Sequence, residues 1–269
     1  MLWDQSLESM FGRTFWTVFS RNFVSANDVS RETEAWGFEE EPMEIDLKPY
    51  FDRYEKLTVQ ADRVFEKVKT AFPGEVRCQT GCSDCCHALF DLTLIEALYL
   101  NHHFLEKIEG ESRKRLLSKA NKADRTIYKI KRQAYRESQA GKDENQILQE
   151  LADVRVRCPL LNDADRCELY GHRPITCRLY GIPTAIGGKG HTCGLSAFKA
   201  GAHYPTVNLD LIQQKLYEIS RDLVKDIKSK FAGLGEILVP LSMAILTEYN
   251  EVYLGTRNAV DEKSSPGRE

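Results

Sequence analysis

The chain has 269 residues, of which 42% are hydrophobic and 29% charged, with a formal net charge of −3. This is the balance of a globular protein, and it excludes a collagen-like or wholly disordered chain. A chain of this length buries a full core without staples, so its 8 cysteines serve something other than the rescue of a small core.

At the start, Leu2, Leu7, Met10, Phe11, Phe15, Val18 and Phe19 recur at three- and four-residue steps, predicting an amphipathic helix that docks on the protein's own body. Asp4 and Glu8 stand where a secretory signal carries Lys or Arg, and the polar face lacks the cations that anionic lipid favours. Between Asp28 and Lys48 there are eight acidic residues against two basic ones, with Pro42 among them, which reads as an acidic linker. The chain thus divides into residues 1–46 (helix and linker), a helical cysteine-bearing domain over 47–255, and a polar, disordered tail over 256–269.

A helix is expected from about Lys48, with Pro49 in its first turn, through Tyr54, Leu57, Ala61, Val64 and Val68 to Pro73. Thr93-Leu94-Ile95-Glu96 has the form of a capping box, so the first cysteine loop ends where another helix begins. A long helix follows from about Ser112 to Gln139 and a shorter one from Glu144 to Val154, and further helices are read over Leu209 to Ile227 and Val239 to Tyr253. Between Gly110 and Lys142 eleven Lys and Arg face three acids, but the protein is acidic overall, so nucleic acid is not the expected partner. Solvation, or pairing with the acidic linker, accounts for that helix.

No segment alternates apolar and polar residues over strand length. The expected fold is therefore all-α, with two irregular cysteine-bearing loops converging on a metal centre. The longest apolar stretch, Ile237 to Leu246, is interrupted by Pro240 and Ser242 and falls short of the ~20 residues that span a bilayer. A cytoplasmic protein without a membrane span is the reading, and there thiols stay reduced and clustered cysteines point to metal or redox chemistry.

Every cysteine belongs to one of two groups. The first is Cys78, Cys82, Cys85 and Cys86, followed by His87; the second is Cys158, Cys167, Cys177 and Cys193. Structural cysteines scatter through a core as small hydrophobes, whereas these are gathered. Eight thiolates match two tetrahedral four-cysteine sites, two cubane clusters, or one cluster with spare thiols, so all eight are candidate ligands of an iron–sulfur cluster or iron, with zinc as the alternative. Neighbouring side chains diverge, so Cys85 and Cys86 seldom suit the same small ion; one of them serves a second metal, bridges, or stays available for chemistry. Gly81 supplies backbone freedom in the first loop. Pro174 suits the first turn of a short helix carrying Cys177 that Gly181 ends, while Arg173 and Arg178 bring positive charge to a thiolate-rich centre or form surface ion pairs. Tyr170 is read as packing. His87 and His191 lie beside cysteines as lesser candidates, and His102 and His103 read as ordinary helix residues.

These residues resemble the CxxCxxCC family of the YkgJ type, known as a zinc- or iron-chelating domain. The Cys-Cys pair, the T-x-x-E helix start, Cys158-Pro-Leu and the run Cys-x-x-Tyr170-x-x-Arg173-Pro174-x-x-Cys177-Arg178 stand in family order. The label implies two residues between the first cysteines; here there are three. The resemblance extends to flagellin lysine N-methylases and so implies that methyl transfer occurs in some branches. Cys78-x3-Cys82-x2-Cys85 is also the spacing of radical S-adenosylmethionine enzymes, but Asp84 replaces the aromatic residue usual there and no strands precede it. The function expected is a metal- or iron–sulfur-binding protein in redox chemistry or metal handling. The alternatives are a cluster-dependent methyltransferase-like enzyme and a structural zinc module that presents helices to a protein partner. No Ser-His-Asp set, phosphate loop or paired carboxylates stand out, so no catalytic residue is assigned.

Overall fold

The computed structural model describes residues 45–79 and 81–256. The expected N-terminal helix, most of the acidic linker and the polar tail after Thr256 lie outside the described residues. Eight α-helices and five short strands follow in the order α1 (Lys48–Ala71), β1 (Asp91–Thr93), α2 (Leu94–Lys107), α3 (Gly110–Gln139), α4 (Glu144–Ala152), α5 (Ile175–Leu179), β2 (Thr184–Ile186), β3 (Lys189–His191), β4 (Val207–Asn208), α6 (Leu209–Asp226), β5 (Leu238–Pro240), α7 (Leu241–Leu246) and α8 (Glu251–Leu254). None of the described helices is long and apolar enough to cross a membrane.

Pro49 sits in the first turn of α1, where its missing N–H costs nothing, and Phe51, Tyr54, Thr58, Ala61 and Val68 bury one face. Val64, expected on that face, is exposed. Every residue of α2 from Leu94 to Asn101 is buried, which marks it as the central helix, since only a helix enclosed on all sides loses its polar face. It packs against α1, α6 and α7, while α3 packs on α7 and α4, and α5 lies on α1. The start of α2 is tied down twice: Ser220 of α6 accepts the Ile95 N–H at 3.2 Å, and Glu96 accepts the Thr93 N–H at 3.2 Å.

The fold is mostly helical, but the all-α expectation is corrected by two small sheets. β1 pairs antiparallel with β5, placing Leu92 opposite Val239. Leu238, Val239 and Pro240 are all buried, so this strand carries no alternation for a sequence reading to find. β2 pairs antiparallel with β3 and parallel with β4. Gly187 and Gly188, with φ of 55° and 74°, make the two-residue turn between β2 and β3, a hairpin signal that was present in the sequence. The single helix expected over Val239 to Tyr253 is broken. Pro240 pushes Val239 into the extended region where it joins β1, and the Asn250 side chain accepts the Tyr253 N–H at 3.0 Å to start α8 afresh.

Ion pairs hold α3 to its surroundings. Lys131 and Asp91 of β1 form a buried pair at 2.5 Å, while Arg115 and Lys119 face Glu168 and Asp163 at 3.9 and 3.5 Å. Two cations of α3 thus face acids of the second cysteine segment.

Candidate metal centre

The first cysteine segment leaves α1 and turns at Gly81, whose φ of 89° is costly for any residue with a Cβ. The Cys82 N–H then bonds the Gln79 carbonyl at 2.9 Å, and a 3-10 turn over Asp84–His87 carries the vicinal pair. The His87 ring Nδ1 lies 3.0 Å from the Ser83 carbonyl, to which it donates, so that nitrogen is engaged.

The second segment meets the first through its backbone. The Val156 N–H donates to the His87 carbonyl at 2.9 Å and the Cys158 N–H to the Cys86 carbonyl at 2.7 Å, beside a bridge between Ala88 and Arg155. Cys158 and Cys167 are then folded toward each other by a tight loop. Glu168 N–H donates to the Leu160 carbonyl at 2.9 Å, Leu161 bridges Cys167, and the Asn162 side chain accepts the Ala164 and Arg166 amides at 3.0 and 2.9 Å.

Cys177 rides on α5, which is held from three sides. Glu96 Oε1 accepts the Ile175 N–H at 3.2 Å, so one buried carboxylate closes the starts of both α2 and α5. Burial pushes the Glu96 pKa up, against the hydrogen bonds from Ile175 and Thr93 that favour its charge. The buried Arg178 guanidinium reaches Asp62 of α1 at 2.5 Å, the Gly171 carbonyl at 2.6 Å and the Arg173 carbonyl at 2.9 Å. Gly181, at φ +103°, follows α5, and a Cβ there would come 2.9 Å from the Cys78 Cβ. Only glycine allows this approach of the two segments.

Cys193 closes the site. Its thiol lies 3.3 Å from the Asp84 carboxylate, which also pairs with Arg155. Beyond it the Ala197 N–H bonds the Glu75 carbonyl at 2.9 Å, tying the end of the second segment to the beginning of the first.

All eight cysteines are unbridged, and their electrostatics converge on Cys85. Thiol hydrogen bonds from Cys177 and then Cys86, with help from Arg173, pull the Cys85 pKa down to about 3 despite its burial. Cys177 and Cys86 are correspondingly pushed up, first by their hydrogen bonding to Cys85 and then by partial burial. Burial raises Cys158 to about 12 and Cys78 to about 11, and it also raises Cys167 and Cys193. The neighbours fall into two sets. Cys158 and Cys167 act on Cys86 and Cys177, whereas Cys82 and Cys193 act on Cys78, and Cys85 acts on both sets.

Three observations bear on whether this donor set suits a metal. The Cys85 and Cys86 sulfurs lie 4.0 Å apart, near the ~3.8 Å edge of a tetrahedron with ~2.3 Å metal–sulfur bonds. The compact 3-10 turn therefore brings together two sulfurs expected to diverge. Backbone amides also favour thiolate: the Leu195 N–H donates to the Cys193 sulfur at 3.4 Å, and the Leu160, Leu161 and Leu169 amides act against the burial that raises Cys158 and Cys167. A thiol is a weak acceptor, and such donors suit an electron-rich thiolate. Third, the thiols raise one another's pKa, a mutual repulsion that a cation would remove. The donor type fits a soft cation, while among the described residues no three cysteine sulfurs lie within 4.8 Å of one another. Among the described residues the one set of three ligand atoms all within 4.8 Å of one another is instead His102, His103 and Glu106.

Of the other sequence candidates, Arg173 serves both expected roles, acting on Cys85 and Cys167 and pairing with Asp62 at 3.7 Å. Arg178 is a buried clamp and not a surface pair. Tyr170, read as packing, is 64% exposed and stacks under Arg173 at 4.0 Å. His191 lies on the exposed strand β3, opposite Thr184. Asp84, which the sequence offers only as a replacement for an aromatic residue, joins Arg155 and Cys193. Glu96 was read as a helix cap alone, although its spacing gave a signal for that half of its role.

These features define a mostly helical protein with a thiol-rich site of the metal-chelating class. Residues 77–194 match the model of the CxxCxxCC family, described as a "putative zinc- or iron-chelating domain". The match supports metal binding, and its bounds enclose all eight cysteines. No curated protein and no solved structure matches the chain.

Proposed function

We propose that the eight cysteines hold iron, as an iron–sulfur cluster or cluster pair, and that the protein works in electron transfer or metal handling in a reducing compartment such as the cytoplasm. The observation that carries this reading is the position of Cys85, whose sulfur lies 4.0 Å from that of Cys86 in its own segment and whose charge is governed first by Cys177 of the other. Eight thiols in two sets that share Cys85 exceed what one tetrahedral zinc site uses. Bound iron would supply one-electron chemistry. The chain's own residues supply the surroundings: Arg173 offsets negative charge, and the Leu169 and Leu195 amides donate to sulfur, which favours an electron-rich centre. Every cysteine is only partly buried, so a protein partner has access to the site.

The test is purification of the full chain without oxygen, followed by iron, sulfide and zinc analysis with a visible spectrum. Brown protein with iron and acid-labile sulfide supports the reading. Colourless protein holding stoichiometric zinc overturns the choice of iron and leaves a structural zinc module.

A further inference from the structure

The last turn of α2 carries a second constellation outside the cysteine segments. One ring nitrogen each of His102 and His103 and a carboxylate oxygen of Glu106 all lie within 4.8 Å of one another. His103 Nδ1 and Glu106 Oε2 are already 2.8 Å apart, and the His103 side chain is only 14% exposed. The helix places the three together because residues three and four apart share a face. Their position at a helix C-terminus, where carbonyl dipoles point outward, favours positive charge. Arg113 already answers two of those carbonyls, Leu105 and Ile108, each at 2.6 Å.

A third imidazole supports the pair. The His172 ring stacks on His103 with centroids 3.7 Å apart and 25° between planes. The Tyr99 hydroxyl gives its proton to Glu55 at 2.9 Å, so His172 Nδ1, 3.2 Å away, is the donor to the Tyr99 oxygen. This Glu55–Tyr99–His172 chain fixes the Nδ1-protonated tautomer of His172 and holds its ring against His103. His172 also lies on the loop between Cys167 and Cys177. His102 borders an open cleft of about 540 Å³ lined by Asp46, Lys48 and Phe51, with Lys48 paired to Asp52 at 2.7 Å. The cleft gives an ion a path from solvent.

We propose that His102, His103 and Glu106 form a second metal site, of nitrogen and oxygen donors, for a divalent transition ion of the zinc class. Imidazole and carboxylate suit Zn²⁺ and its neighbours better than Mg²⁺ or Ca²⁺. Lys107, 3.6 Å from Glu106, is the cation such an ion would displace. The site is distinct from the cysteine centre and does not depend on what that centre holds.

The full chain, with its cysteine metal in place, is titrated with Zn²⁺ while the histidine ring nitrogens are followed by NMR and heat by calorimetry. One further equivalent should bind, shifting the His102 and His103 signals. His103→Ala and the exposed-site variant Glu106→Gln should each weaken this uptake by about tenfold or more while thiolate-bound metal stays unchanged. Ring signals that do not respond to Zn²⁺, or uptake the same in wild type and Glu106→Gln, would overturn the proposal. Glu106→Gln decides the matter where His103→Ala fails to fold.

Discussion

Replacing Glu96 by Gln removes one carboxylate oxygen from a place where two oxygens are in use. Oε2 serves the Thr93 amide and Oε1 the Ile175 amide, each at 3.2 Å, and the residue is 4% exposed. A glutamine keeps one acceptor and turns an NH₂ toward the other amide, leaving a buried donor unmet at a cost of about 1–3 kcal/mol. Glu96→Ala leaves both amides unmet, about 2–6 kcal/mol before the relief of burying a carboxyl is subtracted. Urea unfolding at neutral pH reads the stability, and hydrogen exchange at the Ile175 amide reads the clamp itself. Both variants should lose stability, Ala more than Gln, with faster exchange at Ile175 and lower metal content because α5 carries Cys177. A Glu96→Gln protein within ~0.5 kcal/mol of wild type, with Ile175 exchange unchanged, would refute the clamp.

The same group has a pH signature. Its folded pKa is raised, so its contribution is complete below the unfolded carboxyl value and is lost as pH rises through the folded value; the stability gap between wild type and Glu96→Gln should therefore shrink from acid toward neutral pH in paired denaturation curves. Gly181→Ala combines positive φ with a 2.9 Å approach to Cys78 and should cost about 2–4 kcal/mol. Gly81→Ala, at φ +89° with open space around it, should cost only the backbone part, about 1–2 kcal/mol, so equal melting temperatures for the two would count against the contact. Arg178→Lys gives up the Gly171 and Arg173 carbonyls and should cost about 1.5–3 kcal/mol by chemical denaturation.

What the sequence disclosed and what it hid follow from the range of the forces involved. Local patterns were legible: Pro49 and the apolar steps of α1, the cap at Thr93 and Glu96, and the gathering of cysteines all act within a few residues. Strands of two or three residues were not, because Leu238–Pro240 is buried throughout and has no period to detect. Nor were partners distant along the chain. That Glu96 reaches Ile175, that Arg178 reaches Asp62, and that Asp84 draws in both Arg155 and Cys193 are contacts between segments far apart in the chain, which no local spacing encodes. His102, His103 and Glu106 stand at a helical spacing that the sequence displays, whereas the His172 ring that backs His103 arrives from a different segment.

The central claim is that cysteines from both segments hold one metal centre. Metal analysis of the anaerobically purified full chain, beside Cys85→Ser and Cys177→Ser, tests it most directly, with thermal unfolding recorded on the same samples. Thiolate-bound metal is expected in the wild type, with a joint fall in metal content and melting temperature in both variants, since metal held only by the folded chain stabilises it by mass action. A wild-type chain that folds with no metal bound, or a Cys177→Ser protein with unchanged metal content and melting temperature, would contradict it.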